Sequence, residues 1–289
     1  MIEEIRAKKI LFHVKYDDPW FGLKYNMNIY RGCQHGCIYC DSRSQCYQID
    51  NFDVVRVKIN AVKLLKKELT SKRKKGTIGT GSMGDPYIPL EKKMKLTREA
   101  LKVIASNHFP VHIITKGDLV VRDKDILQDI NRIYSAVSFT VTTSDDKLAK
   151  KIEPGAPTPS KRFKAMKDLA DAGIYTGLTM MPILPFIEDN DANIRDIVEK
   201  AGVHGAKYII PSFAVTLRDR QRAYYYHKLD KLFPGIRKKY ETRYGNDYGC
   251  SVNNAHRLRT NFKELCRRYG IETKMSKYDD GQPVQLSLF

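Results

Sequence analysis

Cys33, Cys37 and Cys40 fall within eight residues, in the run Arg31-Gly-Cys-Gln-His-Gly-Cys-Ile-Tyr-Cys40. Three thiolates this close in sequence can wrap one face of a metal centre and no more. A structural zinc site closes its coordination with four protein ligands. A [4Fe–4S] cluster has four irons to ligate, so three cysteines leave one iron open to a ligand from outside the protein. The spacing therefore favours a cluster with an open iron. A zinc site that takes Cys46 or His35 as its fourth ligand is the alternative. A disulfide framework fits poorly, because the 289 residues hold only six cysteines and begin Met1-Ile-Glu-Glu, without a basic-then-apolar leader.

Such a loop needs a scaffold that holds it over a cavity. Short apolar runs at 24–30, 77–81, 111–115, 137–142, 176–181 and 208–211 predict strands. Amphipathic stretches at 61–72, 97–107, 123–133, 160–172 and 190–201 predict helices, the last two stopped by Gly173 and Gly202. Six such units of ~30 residues have the size of βαβ modules and imply a parallel sheet. A complete eight-fold barrel takes about 250 residues, so the expected fold is α/β, a partial (β/α)6 TIM-type barrel. The expected segments are an N-terminal piece at 1–23, the barrel at 24–215, a basic, mainly helical C-terminal extension at 216–274 and a tail at 275–289.

Ligands bind beyond the carboxyl ends of the strands in such sheets, where the cysteine run follows the first strand. After the second strand comes Thr80-Gly-Ser-Met-Gly-Asp-Pro-Tyr87, whose Ser82 and Asp85 offer acceptors for an ammonium group. Lys116 follows the third strand, placed to meet a carboxylate. The fourth carries Thr140 and leads to Glu153-Pro-Gly155, and the fifth ends in Met180-Met181-Pro182. A ligand with an amino-acid head and an apolar ring would use this set, although each loop alone has an ordinary reading.

The cysteine run resembles the cluster motif of the radical S-adenosylmethionine (SAM) superfamily, including the aromatic Tyr39 before the last cysteine. The resemblance implies a [4Fe–4S] cluster on Cys33, Cys37 and Cys40, with the open iron chelating the amino and carboxylate groups of SAM. It implies one-electron cleavage of the sulfonium to a 5′-deoxyadenosyl radical that abstracts a hydrogen atom. The cysteine run, Gly81 to Tyr87, Ile114-Thr-Lys116, Glu153-Pro-Gly155 and Met181-Pro-Ile183 further resemble, in this order, the spore photoproduct lyase family of DNA-repair enzymes. In that family the residues matching Ser82, Lys116, Thr140 and Met181 lie around SAM. Tyr39 and Asp85 complete the expected SAM-binding set. Two departures stand out. The lyase returns a hydrogen atom from a cysteine near the end of its second strand, where this chain has Ser82, and Asp41 replaces a tyrosine of its radical relay. Cys250 is a candidate replacement thiol; an ordinary half-buried cysteine is the alternative.

Lys and Arg number 51 against 33 Asp and Glu, a formal charge of +18, which favours a polyanionic partner. Between Arg218 and Lys274 there are 15 basic and 6 acidic residues, interleaved with Tyr224, Tyr225, Tyr226, Tyr240, Tyr244, Tyr248 and Tyr269. Aromatic rings among cations suit stacking on unpaired bases; a solvated helical surface with tyrosines half in the core is the other reading. The sequence ends Gln285-Leu-Ser-Leu-Phe289, which resembles the peptide by which bacterial replication and repair proteins dock on the DNA sliding clamp. Gln285, Leu286, Leu288 and Phe289 would carry that contact. The expected function is a lyase-like radical SAM enzyme acting on DNA, with an RNA, protein or small-molecule substrate, or a non-catalytic cluster-bearing adaptor, as alternatives. Expected partners are DNA, the clamp and an electron donor such as flavodoxin or ferredoxin. No apolar run approaches the ~20 residues that cross a bilayer, so a cytoplasmic setting is expected.

Overall fold

The computed structural model describes residues 2–279. Its six barrel strands are β1 (Leu23–Met27), β2 (Thr77–Thr80), β3 (Val111–Thr115), β4 (Ser135–Thr140), β5 (Tyr175–Met180) and β6 (Tyr208–Pro211). They hydrogen-bond in the order β6-β5-β4-β3-β2-β1, all parallel, and Leu11–His13 adds an antiparallel edge beside β1. Every residue of β2 and β4 is buried, as expected of strands covered on both faces. Among the described residues no pairing joins β6 to the Leu11–His13 edge, so the barrel is open.

Helices α1 (Ala61–Thr70), α2 (Leu96–Ser106), α3 (Lys124–Asn131), α4 (Pro159–Ala170) and α5 (Asp191–Val203) cover the outside. Each turns an i, i+3/i+4 stripe inward, such as Ile126, Leu127 and Ile130 of α3 or Ile194, Ile197, Val198 and Ala201 of α5. Pro159 starts α4, where its missing N–H costs nothing, and the Asn190 side chain caps α5 through the Asn193 amide at 2.9 Å.

The registers matter for function. Met27 lies opposite Thr80, Thr80 opposite Ile113, Thr115 opposite Phe139, Thr140 opposite Thr179 and Met180 opposite Pro211. The strands therefore end together, and their loops emerge on one rim. The barrel interior between β3, β4 and β6 is polar: His112 Nε2 lies 2.8 Å from Ser138 Oγ, which lies 2.6 Å from Tyr208 OH, while His112 Nδ1 has no hydrogen-bond partner. Burial pushes the His112 imidazole down to about 3, which makes it a neutral core group.

The C-terminal region is not a detached appendage. Helices α6 (Asp219–Leu232) and α7 (Ile236–Tyr244) pack together, α8 (Ala255–Arg268) packs on α5, and β7 (Ala214–Thr216) pairs antiparallel with β8 (Gly249–Ser251). Tyr225 and Tyr240 are fully buried, Tyr226 and Tyr244 nearly so, in one cluster with Leu229, Val215 and Cys250. The stacking reading of the tyrosines therefore fails for these four. They are the core of this region, with Tyr225 and Tyr240 joined at 3.0 Å through their hydroxyls. Among the described residues, no helix is long and apolar enough to cross a membrane.

Candidate active site

The cysteine run leaves β1 through Tyr30–Arg31, which pairs antiparallel with Val55–Lys58. That small ladder pins both ends of the loop. Gly32 has φ +86° and a Cβ there would stand 2.7 Å from the carbonyl oxygens of Phe52 and Val54, so only glycine lets Cys33 enter this way. Further along, Ile38 N donates to Ile152 O (2.9 Å), Gly155 N donates to His35 O (2.9 Å) and Leu90 N donates to Gln34 Oε1 (2.8 Å). The loop is thus tied to two other rim segments. Helix α6 closes it from the far side: Gln221 Nε2 donates to Tyr39 O at 3.1 Å, Ser44 Oγ to Asp219 Oδ2 at 2.7 Å, and Arg218 pairs with Asp41 at 2.7 Å.

Cys33, Cys37 and Cys40 all line one cavity of about 360 Å³ at the strand ends. All six cysteines are free thiols, and Cys46 does not line this cavity. Burial pushes the Cys33 thiol up, with Asp85 and Cys37 adding to it, and burial likewise raises Cys37 to about 12 and lifts Cys40. Three neighbouring thiols, one buried and two partly buried, ionise together only if a cation compensates them, which is what bound iron does. Among the described residues, no three His, Cys, Asp or Glu side chains close on a single metal ion. A cubane takes each cysteine on a different iron, and three thiols spread around one cavity suit that donor set. The zinc alternative lacks Cys46 at the site, and both ring nitrogens of His35 face other partners, Asp85 and Gly155 O.

His35 lies with Nε2 3.1 Å from Asp85 Oδ2 and Nδ1 3.3 Å from Gly155 O. Asp85 is the organising group of the rim. Its Oδ1 accepts from Tyr87 N (2.8 Å) and Thr115 Oγ1 (2.6 Å), and its Oδ2 accepts from Lys116 N (2.6 Å). Burial opposes its charge, but His35, Thr115 and the Lys116 amide outweigh it and hold the carboxyl at about 2. Asp85 thus spends its oxygens joining three loops, while its edge lines the cavity. Gly81, at φ +101°, allows the backbone to pass Ile114 O, which a Cβ would meet at 2.1 Å. Ser82 then stands exposed at the cavity, paired with Asn26 of β1 at 2.8 Å.

Lys116 projects into the cavity with Nζ 5.7 Å from the centre of the Tyr39 ring and 3.9 Å from Glu153 Oε1. Tyr39 OH donates to Glu153, and Arg162 Nη2 donates to its other oxygen at 2.5 Å. Arg162 is 1% exposed and also donates to Pro157 O (2.8 Å) and Thr140 O (2.9 Å). Burial works against the Glu153 charge, but Arg162 and then Lys116 overcome it, so the carboxyl lies below its ordinary range. Lys116 is likewise held protonated, at about 12, because Cys37 and Glu153 outweigh its burial. The result is a buried charge relay beside Cys37, with one cation still facing the cavity.

Thr140, hydrogen-bonded to Thr179 Oγ1 at 2.8 Å, and Met181 complete the lining at the ends of β4 and β5. Cys250 does not reach it. The residue sits fully buried on β8 opposite Val215, and Val215 forms the cavity wall in front of it. Burial raises its thiol to about 11, the behaviour of a packed core cysteine. Arg162 was not singled out by sequence, although its position was readable: it shares the buried face of α4 with Pro159, Phe163, Met166 and Leu169. A cation on an apolar stripe needs a partner. Residues 285–289, with the clamp-type peptide, lie outside the described residues.

A model of the radical SAM superfamily matches residues 27–201, and the chain belongs to that superfamily. Its members use a [4Fe–4S] cluster and SAM. An uncharacterized protein of Methanocaldococcus jannaschii is 38% identical over 191 residues, covering 65% of this chain and 70% of that protein. A radical SAM Nα-GlyT isomerase of Pseudomonas phage M6 is 23% identical over 268 residues, covering 89% of this chain and 55% of the relative. Among solved structures, spore photoproduct lyase with bound AdoMet and dinucleoside spore photoproduct superposes with a TM-score of 0.69 at 15% identity, covering 94% of this chain and 80% of the other.

Proposed function

We propose that Cys33, Cys37 and Cys40 hold a [4Fe–4S] cluster at the strand-end cavity, and that the enzyme uses it with SAM on DNA. When bound and reduced, the cluster supplies one electron to the SAM sulfonium, and the 5′-deoxyadenosyl radical so formed abstracts a hydrogen atom. The observation that carries this is the convergence of all three thiols with Ser82, Lys116, Thr140 and Met181 on one cavity. Lys116 meets the methionine carboxylate while Glu153 and Arg162 fix its position. Tyr39, tied to Glu153 and Gln221, holds the last turn of the cysteine loop. The apolar wall of Met181, Pro182 and Val215 excludes water from a radical.

Two features support DNA as substrate: the net charge of +18 and the fold shared with spore photoproduct lyase over nearly the whole chain. The phage relative's name favours an isomerase-type outcome, in which the abstracted hydrogen returns to the substrate. The lining agrees with such a return from 5′-deoxyadenosine. Among the described residues, no thiol lines the cavity beyond the three cluster cysteines. Uniformly deuterated DNA, incubated anaerobically with enzyme, SAM and reductant, is expected to pass deuterium into 5′-deoxyadenosine or SAM. Formation of 5′-deoxyadenosine without deuterium would remove DNA as substrate.

We further propose that Gln285 to Phe289 docks on a sliding clamp, on the strength of the sequence resemblance alone. Deleting these five residues should abolish binding to purified clamp and leave SAM cleavage unchanged; undiminished clamp binding by the truncated chain would refute the docking.

A further inference from the structure

A second concavity, of about 830 Å³, lies on the other side of the wall that bounds the reaction cavity. The segment after β6 is that wall. Ser212 and Ala214 line the reaction cavity, whereas Pro211 and Phe213 line the groove. Its apolar faces come from Trp20, Phe213 and Phe262, and its charged edge from Arg259, Lys263, Lys274 and Lys277. No Asp or Glu lines it.

The groove is preformed. Trp20 is 49% exposed, yet its loop is fixed: Asp18 accepts from the amides of Trp20 (3.0 Å) and Leu23 (3.3 Å) through its carboxylate, and Lys277 Nζ donates to Asp18 O at 2.9 Å. Arg259 stands 5.9 Å over the Phe213 ring. Among the described residues Lys263 and Lys274 make no side-chain hydrogen bond or ion pair. Fixed aromatic faces flanked by unneutralised cations are what single-stranded nucleic acid recognises, with bases stacking on rings and phosphates meeting lysines. A small apolar ligand would not need the four cations, and a phosphate ion would not need the rings.

We propose that this groove binds single-stranded DNA, stacking a base on Trp20 and holding flanking phosphates with Lys263 and Lys274. The strand would lie one layer of backbone from the reaction cavity, next to the nucleotide that enters it. The proposal rests on the DNA reading above and specifies where the strand runs.

Trp20 is the sole tryptophan of the chain, so its fluorescence reports the groove alone. A single-stranded oligodeoxynucleotide titrated into the cluster-loaded enzyme is expected to quench that emission. The slope of log affinity against log salt should become shallower by about 1.4 in Lys263→Ala/Lys274→Ala, two contacts at ~0.7 each. Iron content and DNA-independent SAM cleavage should stay as in the wild type, which separates lost contact from misfolding. Heparin, a polyanion without bases, should bind with a salt slope but leave Trp20 unquenched. Equal quenching by heparin would overturn base stacking. A mobility shift with DNA that leaves both the emission and the double variant's slope unchanged would overturn the groove while the DNA reading stands. Absence of any DNA binding would overturn both.

Discussion

The two charged regions of this protein handle charge in opposite ways. Beside Cys37, Glu153 and Arg162 are almost fully enclosed and Lys116 is half-buried, and each answers another, so one carboxylate is shared by a guanidinium, an ammonium and a phenol. Around Trp20, Arg259, Lys263 and Lys274 stand at a solvent-facing groove with no acidic neighbour in its lining. The first arrangement fixes geometry, because a buried ion pair tolerates no unpaired partner. The second leaves charge available for a ligand that brings its own counter-charge. Counting cations along the sequence cannot separate the two; burial does.

Removing the buried cation should have the largest consequence. Arg162→Ala leaves Glu153 enclosed without its main partner and two backbone carbonyls, Pro157 O and Thr140 O, without their donor, at a cost of about 3–5 kcal/mol. Loss of that order in urea unfolding, together with poor cluster retention, is expected; a loss typical of a surface arginine would show that the relay is not structural. Lys116→Ala is milder and more selective. It should weaken SAM binding about ten- to a hundred-fold, the worth of a charge-assisted contact of roughly 1.5–3 kcal/mol, with iron content intact. Unchanged SAM affinity by calorimetry would take Lys116 out of the SAM site.

Glu188 sharpens the contrast from another side. It is fully buried, and burial, with Glu153 and Asp189 adding to it, raises its carboxyl to about 8 from an ordinary 4.5. The folded protein therefore holds a proton that the unfolded chain releases above 4.5, so this group lowers stability as pH rises from there towards 8. Glu188→Gln cannot ionise, and its stability relative to wild type should climb across that window. A difference independent of pH would show that Glu188 is not protonated in the fold. Cys250→Ala should do least. Removal of a packed sulfur costs about 1 kcal/mol, and SAM cleavage should be unaffected because Val215 separates the thiol from the cavity. A variant that cleaves SAM but no longer turns over substrate would instead make Cys250 the hydrogen donor.

Most of the barrel could be read in advance because strands such as Val111–Thr115 and Tyr208–Pro211 are short apolar runs and the helices between them carry an apolar stripe, so periodicity carried the signal. The cysteine loop and the strand-end residues were legible for the same reason, since a parallel sheet dictates where loops emerge. The Ile2–Ile5 and Leu11–His13 strands were not, being edge segments of three or four residues with mostly exposed side chains. The sequence left stacking and core burial both open for the tyrosines of α6 and α7, because composition does not record that Tyr225, Tyr226, Tyr240 and Tyr244 turn inward. Arg162 was hidden by the opposite effect, a charge on a buried face whose partner, Glu153, lies across a turn. The place of Asp85 at the strand-end cavity was legible, but its role in joining three loops needed the fold.

The central claim is that three cysteines hold a cluster whose open iron takes SAM. Anaerobic reconstitution followed by electron paramagnetic resonance of the reduced protein tests it directly. The wild type should carry about four irons, show a reduced-cluster signal that changes on addition of SAM, and release 5′-deoxyadenosine, while Cys37→Ala shows none of these. A cluster signal indifferent to SAM, or a full cluster retained in Cys37→Ala, would contradict the account.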